Sequence, residues 1–106
     1  MTKLEQIVNS LRLGKRGGLI YYGDELIYLI QKDQIDLVIL ASDTPEKAKR
    51  KLLNIFTKKH FEMFTREELG NIFSVNPLNA IGIKSKHLAS KIIDLKEEKS
   101  NGQKNQ

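Results

Sequence analysis

The chain has 106 residues, a net charge of +5, 29% charged residues and no cysteine. That length fits one domain with a single modest core, and the missing thiols exclude disulfides and thiolate metal ligands. No apolar run approaches the ~20 residues of a spanning helix, and the N-terminus has no signal-peptide apolar stretch. A cytoplasmic protein with an anionic partner is therefore expected, nucleic acid being the commonest such partner.

Thr2 and Glu5 form a capping box that starts a helix. Leu4, Ile7, Val8 and Leu11 recur along it at helical spacing and predict one apolar face. Gly14, Gly17 and Gly18 predict its end, with one of them in the left-handed conformation. Leu19 to Tyr22 is short, apolar and partly β-branched or aromatic, which predicts a strand. Gly23 then opens a second helix with Asp24 and Glu25 in its first turn and Leu26, Ile27, Leu29 and Ile30 on one side.

Leu37 to Ala41 is an uninterrupted apolar run, which predicts a strand buried on both faces. Ser42, Asp43 and Thr44 supply candidate caps before Pro45, and a helix over 46–59 follows. Its apolar stripe is Ala48, Leu52, Ile55 and Phe56, while Lys47, Lys49, Arg50 and Lys51 crowd its outer side as a solvated face. His60 to Phe64 reads as a strand, and Thr65 with Glu68 forms a second capping box for a helix through Leu69 and Phe73. Ser74 to Asn79 has turn chemistry, with Val75 and Leu78 as apolar residues expected to stand exposed in it.

Ala80 to Ile83 predicts the last strand. Ser85 can cap a final helix bearing Leu88, Ala89, Ile92, Ile93 and Leu95. The chain is thus expected as a single α/β domain over 1–96 with a polar disordered tail over 97–106. Helix and strand alternate throughout, which predicts a three-layer α/β/α sandwich: a small four-stranded mixed sheet covered by helices on both faces.

Catalytic and metal chemistry find no support. His60 and His87 lack ligand spacing, and neither a nucleophile elbow nor a phosphate-binding P-loop is present. The carboxylate pairs Asp24/Glu25 and Glu67/Glu68 lie in first turns, where capping and dipole compensation account for them. A non-enzymatic protein without cofactor or metal is expected. What remains is a set of loops: Lys15 to Gly18, the Gly23 junction, Ala41 to Pro45 and Ser74 to Asn79. Loops after parallel strands gather on one side of an α/β sheet. The turns bearing Gly18, Gly23, Asp43 and Pro77 are expected to converge on one electropositive edge fit for folded RNA.

The segments GKRGGLIYYGDEL, DLVILASDTPEKAKRKL and TREELGNIFSVNPLNAIGIKSKHLASKII together resemble a known family. It is the ribosomal protein superfamily that binds kink-turn RNA, the L-seven-Ae type, and the similarity is nearest to its short bacterial YlxQ branch. The resemblance covers 11–93 and implies the same α/β/α sandwich. It implies RNA contact starting at Gly23, with Glu25 and Leu26 standing where that family has an Asn-Glu pair and Leu29 where it has a lysine. It further assigns Ala41, Ser42 and Asp43 to an acidic strand end, and Ser74 through Ala80 to the recognition loop.

The RNA-contacting set expected from loops and resemblance together is Lys15, Arg16, Gly17, Gly18, Gly23, Asp24, Glu25, Leu29, Ser42, Asp43, Val75, Pro77 and Leu78. The expected partner is ribosomal or other structured RNA, with the ribosome and translation factors as further partners, and the expected state is a monomer. The alternative is a protein-docking module of the translation or transcription machinery with weak or no kink-turn binding. It requires Leu26 and Leu29 to be exposed.

Overall fold

Hydroxyl caps start three of the helices, and they fix the boundaries that the sequence suggests. The computed structural model describes residues 2–97. Thr2 accepts from the Glu5 amide and Glu5 returns the bond to the Thr2 amide, opening α1 (Lys3–Arg16). Thr65 and Glu68 repeat the arrangement at α4 (Arg66–Phe73). The Ser85 hydroxyl accepts from the Leu88 amide at 3.0 Å and opens α5 (Lys86–Glu97). The remaining helices are α2 (Gly23–Gln31) and α3 (Glu46–Ile55), and the strands are β1 (Ile20–Tyr21), β2 (Leu37–Leu40), β3 (His60–Glu62) and β4 (Ala80–Ile83).

The four strands form one mixed sheet in the order β1-β4-β2-β3. β4 runs antiparallel to both β1 and β2, and β3 runs parallel to β2. The central strands are fully buried, as their apolar runs require. Alternation along β2 splits the core in two. Leu37 and Ile39 face one side with Ile7 and Leu11 of α1, Leu69 and Phe73 of α4, and Leu88 and Ile92 of α5. Val38 and Leu40 face the other with Leu26, Leu29 and Ile30 of α2 and Leu52 of α3. The fold is the α/β/α sandwich that strict alternation predicts, with three helices on one face and two on the other.

Local departures have identifiable causes. α1 continues through Gly14, and Gly18, not Gly17, takes the left-handed conformation at φ 75°. α3 ends at Ile55, because Phe56 turns extended to enter the core. Ile55 itself stands exposed, so it leaves the expected stripe, and Leu4 leaves the apolar face of α1 likewise. Glu97, expected in the tail, closes α5 and pairs with Lys59 at 3.1 Å. The rest of the expected tail lies outside the described residues. No described helix is long and apolar enough to cross a membrane.

Candidate nucleic-acid interface

Strand directions decide which loops meet. β1, β2 and β3 all run one way and β4 runs against them. The segments after β1, β2 and β3 and the segment before β4 therefore share one edge of the sheet. That edge carries the Gly23 junction, Ala41 to Pro45, the start of α4, and Ser74 to Asn79. The Lys15 to Gly18 turn precedes β1 and sits at the opposite edge. The Lys84 amide there donates to the Leu19 carbonyl at 2.8 Å, and the Asp36 amide to the Ile83 carbonyl at 2.8 Å. The expectation that Gly18 joins Gly23, Asp43 and Pro77 is corrected on this point. Lys15 is a partial exception, because its side chain reaches along the rim of β1 until Nζ stands 5.3 Å from the ring centroid of Tyr22, just before Gly23.

The turns that do converge are tied to each other by hydrogen bonds. The Asn79 carbonyl accepts from the Ala41 amide at 2.8 Å and from the Thr44 hydroxyl at 2.9 Å, while that hydroxyl also lies 2.8 Å from the Ala41 carbonyl. The Ser42 amide donates to the Phe64 carbonyl at 2.7 Å. The Arg66 amide donates to Asp43 Oδ1 at 2.7 Å, so Asp43 helps cap α4 rather than α3. The Val75 amide donates to the Gly70 carbonyl at 2.9 Å, folding the 74–79 turn back onto α4.

A depression of about 280 Å³ opens between α2, α3 and this turn. Gly23, Leu26, Ala48, Lys51, Leu78 and Asn79 contribute to its lining. Gly23 has φ 67°, and a Cβ there would meet nothing within 4 Å. The position needs glycine for its backbone conformation and leaves open space above it. Tyr22 at the N-cap of α2 makes no side-chain capping bond, and neither does Pro45 at the N-cap of α3. The helices with side-chain caps all lie on the other face of the sheet. The two without them flank the depression and turn their first N–H groups toward the shared edge.

Several expected contact residues are placed elsewhere than on the surface. Leu29 is 7% exposed and belongs to the core under α2, so its match to a contacting lysine gives no surface group. Leu78 is also 7% exposed, which corrects the expectation of an exposed apolar pair; Val75 is half-buried against α4. Leu26 is buried as well. Pro77, Ser42, Asp43, Asp24 and Glu25 are exposed at the converging edge, and Arg16, Gly17 and Gly18 are exposed at the opposite one. Two polar lining residues lay outside the expected set. Lys51 was hidden in a charge run that reads as a solvated face, and Asn79 in a run of turn residues.

The charge at the converging edge differs from expectation. Asp24, Glu25, Asp43, Glu46, Glu67 and Glu68 face Lys47, Lys51 and Arg66 there, so the edge is not an electropositive ledge. Part of this negative charge is engaged within the fold. Glu68 accepts from the Thr65 amide at 2.9 Å, Glu46 lies 3.7 Å from Arg50, and Asp43 holds the α4 start. On α3, Lys49 is bonded to Glu62, which raises the ammonium pKa. Lys51 stays at the depression.

No protein-family model matches the chain, and no curated protein matches it. Solved structures do. A protein with unknown function from Bacillus halodurans C is similar with a TM-score of 0.76 at 26% identity, over 84% of this chain and 94% of that one. The chain shares its fold. The same architecture appears in the Giardia lamblia 15.5kD RNA binding protein, with a TM-score of 0.65 at 15% identity, over 91% of this chain and 86% of that one.

Proposed function

We propose that this protein binds structured RNA without catalysis, through the edge where α2, α3 and the 74–79 turn meet. The observation that carries the reading is the pair of uncapped helix starts, of α2 and of α3, on either side of one depression. Free first-turn N–H groups and the positive end of the helix dipole attract phosphate. Lys51 adds a cation, and Glu25 can accept hydrogen bonds from base N–H groups. The shared fold with the Giardia RNA-binding protein supports this choice of partner.

The finer reading is a relative of the kink-turn-binding ribosomal superfamily, nearest its YlxQ branch, acting on ribosomal or similar RNA in the cytoplasm as a monomer. Kink-turn discrimination is weakened. Glu25 replaces an amide by an acceptor-only carboxylate, and Leu26 and Leu29 are buried instead of reaching the RNA. Losing two polar contacts costs about 3–5 kcal/mol, or on the order of 10²–10³-fold or more in affinity. The protein-docking alternative required Leu26 and Leu29 on the surface, and their burial removes that patch.

The test is a titration of a kink-turn RNA against a straight duplex of equal length at two salt concentrations. A preference for the kink-turn of roughly tenfold, smaller than full recognition would give, is expected. No binding of either RNA at low salt contradicts the proposal.

A further inference from the structure

The positive charge of this chain is concentrated away from the edge just assigned to RNA. At the opposite edge, the end of α1 and the start of α5 lie side by side around a groove of about 220 Å³, whose lining includes Leu13, Leu19, Ser85, His87 and Lys91. Arg16 ends α1 there, and Lys84 and Lys86 lead into α5. The Lys84 amide bonded to the Leu19 carbonyl fixes these two segments together. Among the described residues, Arg16, Lys84 and Lys91 form no ion pair, and Lys86, held 3.1 Å from Asp36, keeps 87% of its side chain exposed. The other carboxylate at this edge, Asp33, is paired with Lys58 at 2.9 Å. Lys91 therefore lines the groove, Arg16, Lys84 and Lys86 stand on the segments that flank it, and the nearby carboxylates Asp33 and Asp36 are already paired.

We infer that this edge is a second binding surface, one that holds the phosphate backbone of a nucleic-acid duplex without reading its sequence. Cations supplied by two packed segments on either side of a groove can follow phosphates along one strand, and each contact releases condensed counterions. The groove lining itself holds no asparagine or glutamine to read a base edge bidentately, so the surface positions a duplex without specifying it. Its charge also compensates the carboxylates of the first edge, giving a molecule with one reading edge and one holding edge. The inference stands on charge placement and does not depend on the Gly23 site.

The test uses the full chain with Lys84→Glu and Lys91→Glu combined, and separately the milder pair Lys84→Gln and Lys91→Gln. The probes are a straight RNA duplex, a DNA duplex of equal length, and a kink-turn RNA. Both positions are exposed, so folding is checked only by circular dichroism. For the straight RNA duplex at about 50 mM salt, the Glu pair is expected to lower affinity at least about tenfold. The slope of log K against log salt should flatten by about 1.4–1.8, at ~0.7–0.9 per phosphate contact. The Gln pair should flatten it less, and the ratio of kink-turn to duplex affinity should hold. Equal losses on RNA and DNA duplexes assign the surface to phosphate of either kind, and losses on RNA alone assign it to RNA. Unchanged affinity and slope for both variants overturn the inference while leaving RNA binding at the Gly23 edge intact. A wild-type protein that binds the kink-turn but neither duplex overturns it as well. Duplex binding lost with the Glu pair, but no kink-turn preference in the wild type, upholds this surface and defeats the first site.

Discussion

Gly70 and Val75 are in direct backbone contact: the Val75 amide donates to the Gly70 carbonyl at 2.9 Å, and a Cβ on Gly70 would stand 2.3 Å from the Val75 carbonyl oxygen. The same Cβ would lie 2.8 Å from Asn76 Cα. Glycine in the ELG segment is thus what allows the 74–79 turn to fold onto α4 and reach the depression. It acts through space-filling, and its own φ is helical.

Gly70→Ala is expected to push the turn outward. Forcing one methyl group into backbone contact costs about 1–3 kcal/mol, which chemical denaturation measures. RNA affinity should fall further than the Leu29→Ile control, which changes the core under α2 without moving the turn.

Gly23→Ala tests the other side of the depression. Nothing lies within 4 Å of the added methyl, so the penalty comes from φ 67° alone. That conformation costs an L-residue about 1–2 kcal/mol, so thermal unfolding should drop by roughly 4–16 °C in a domain of this size. Gly23→Asn should lose less, because asparagine tolerates the left-handed region better than alanine does.

Lys49 and Lys51 sit on one helix and should behave differently. Lys49 is engaged with Glu62, whereas Lys51 lines the depression. Lys51→Ala is expected to reduce the salt slope of RNA binding by about 0.7–0.9, and Lys49→Ala to leave it unchanged. Affinity measured across a salt series separates the two.

The Asp33–Lys58 pair supplies a pH signature. The hydrogen bond from Lys58 holds the Asp33 carboxyl below the usual carboxylate range, and its charge adds to the effect. A carboxyl depressed in the folded state stabilises above its unfolded pKa and loses that contribution as pH falls through the folded value. Asp33 has φ 58°, which asparagine also tolerates, so Asp33→Asn removes the charge without disturbing the turn. The wild type should be slightly the more stable protein at neutral pH, and the two stability curves should merge in acid. Curves that diverge further as pH falls contradict this assignment.

Much of this architecture was legible because local signals agreed. Two capping boxes, a serine cap and the buried run at Leu37 to Leu40 each specify one element, and all nine follow in the expected order. The site was less legible for two physical reasons. Which edge a loop occupies depends on strand direction, and nothing in Ile20-Tyr21 tells that β1 runs with β2 and places Gly18 away from Gly23. Burial within a turn depends on what folds over it. Leu78 sits among Asn76, Pro77 and Asn79, a composition that suggests exposure, yet the turn tucks it into the core cluster with Leu69 and Phe73 of α4. Leu29 shows the converse, since helical spacing alone already placed it beside Leu26 and Ile30 in the core.

Backbone amide shifts followed by NMR during titration with a kink-turn RNA test the location of the contact most directly. The amides of Gly23, Asp24, Ala48 and Asn79 should move together as one saturating set, with Leu29 moving little. Saturable binding that leaves those four amides in place, and shifts only residues around Gly18, Lys84 and Lys91, would contradict the account.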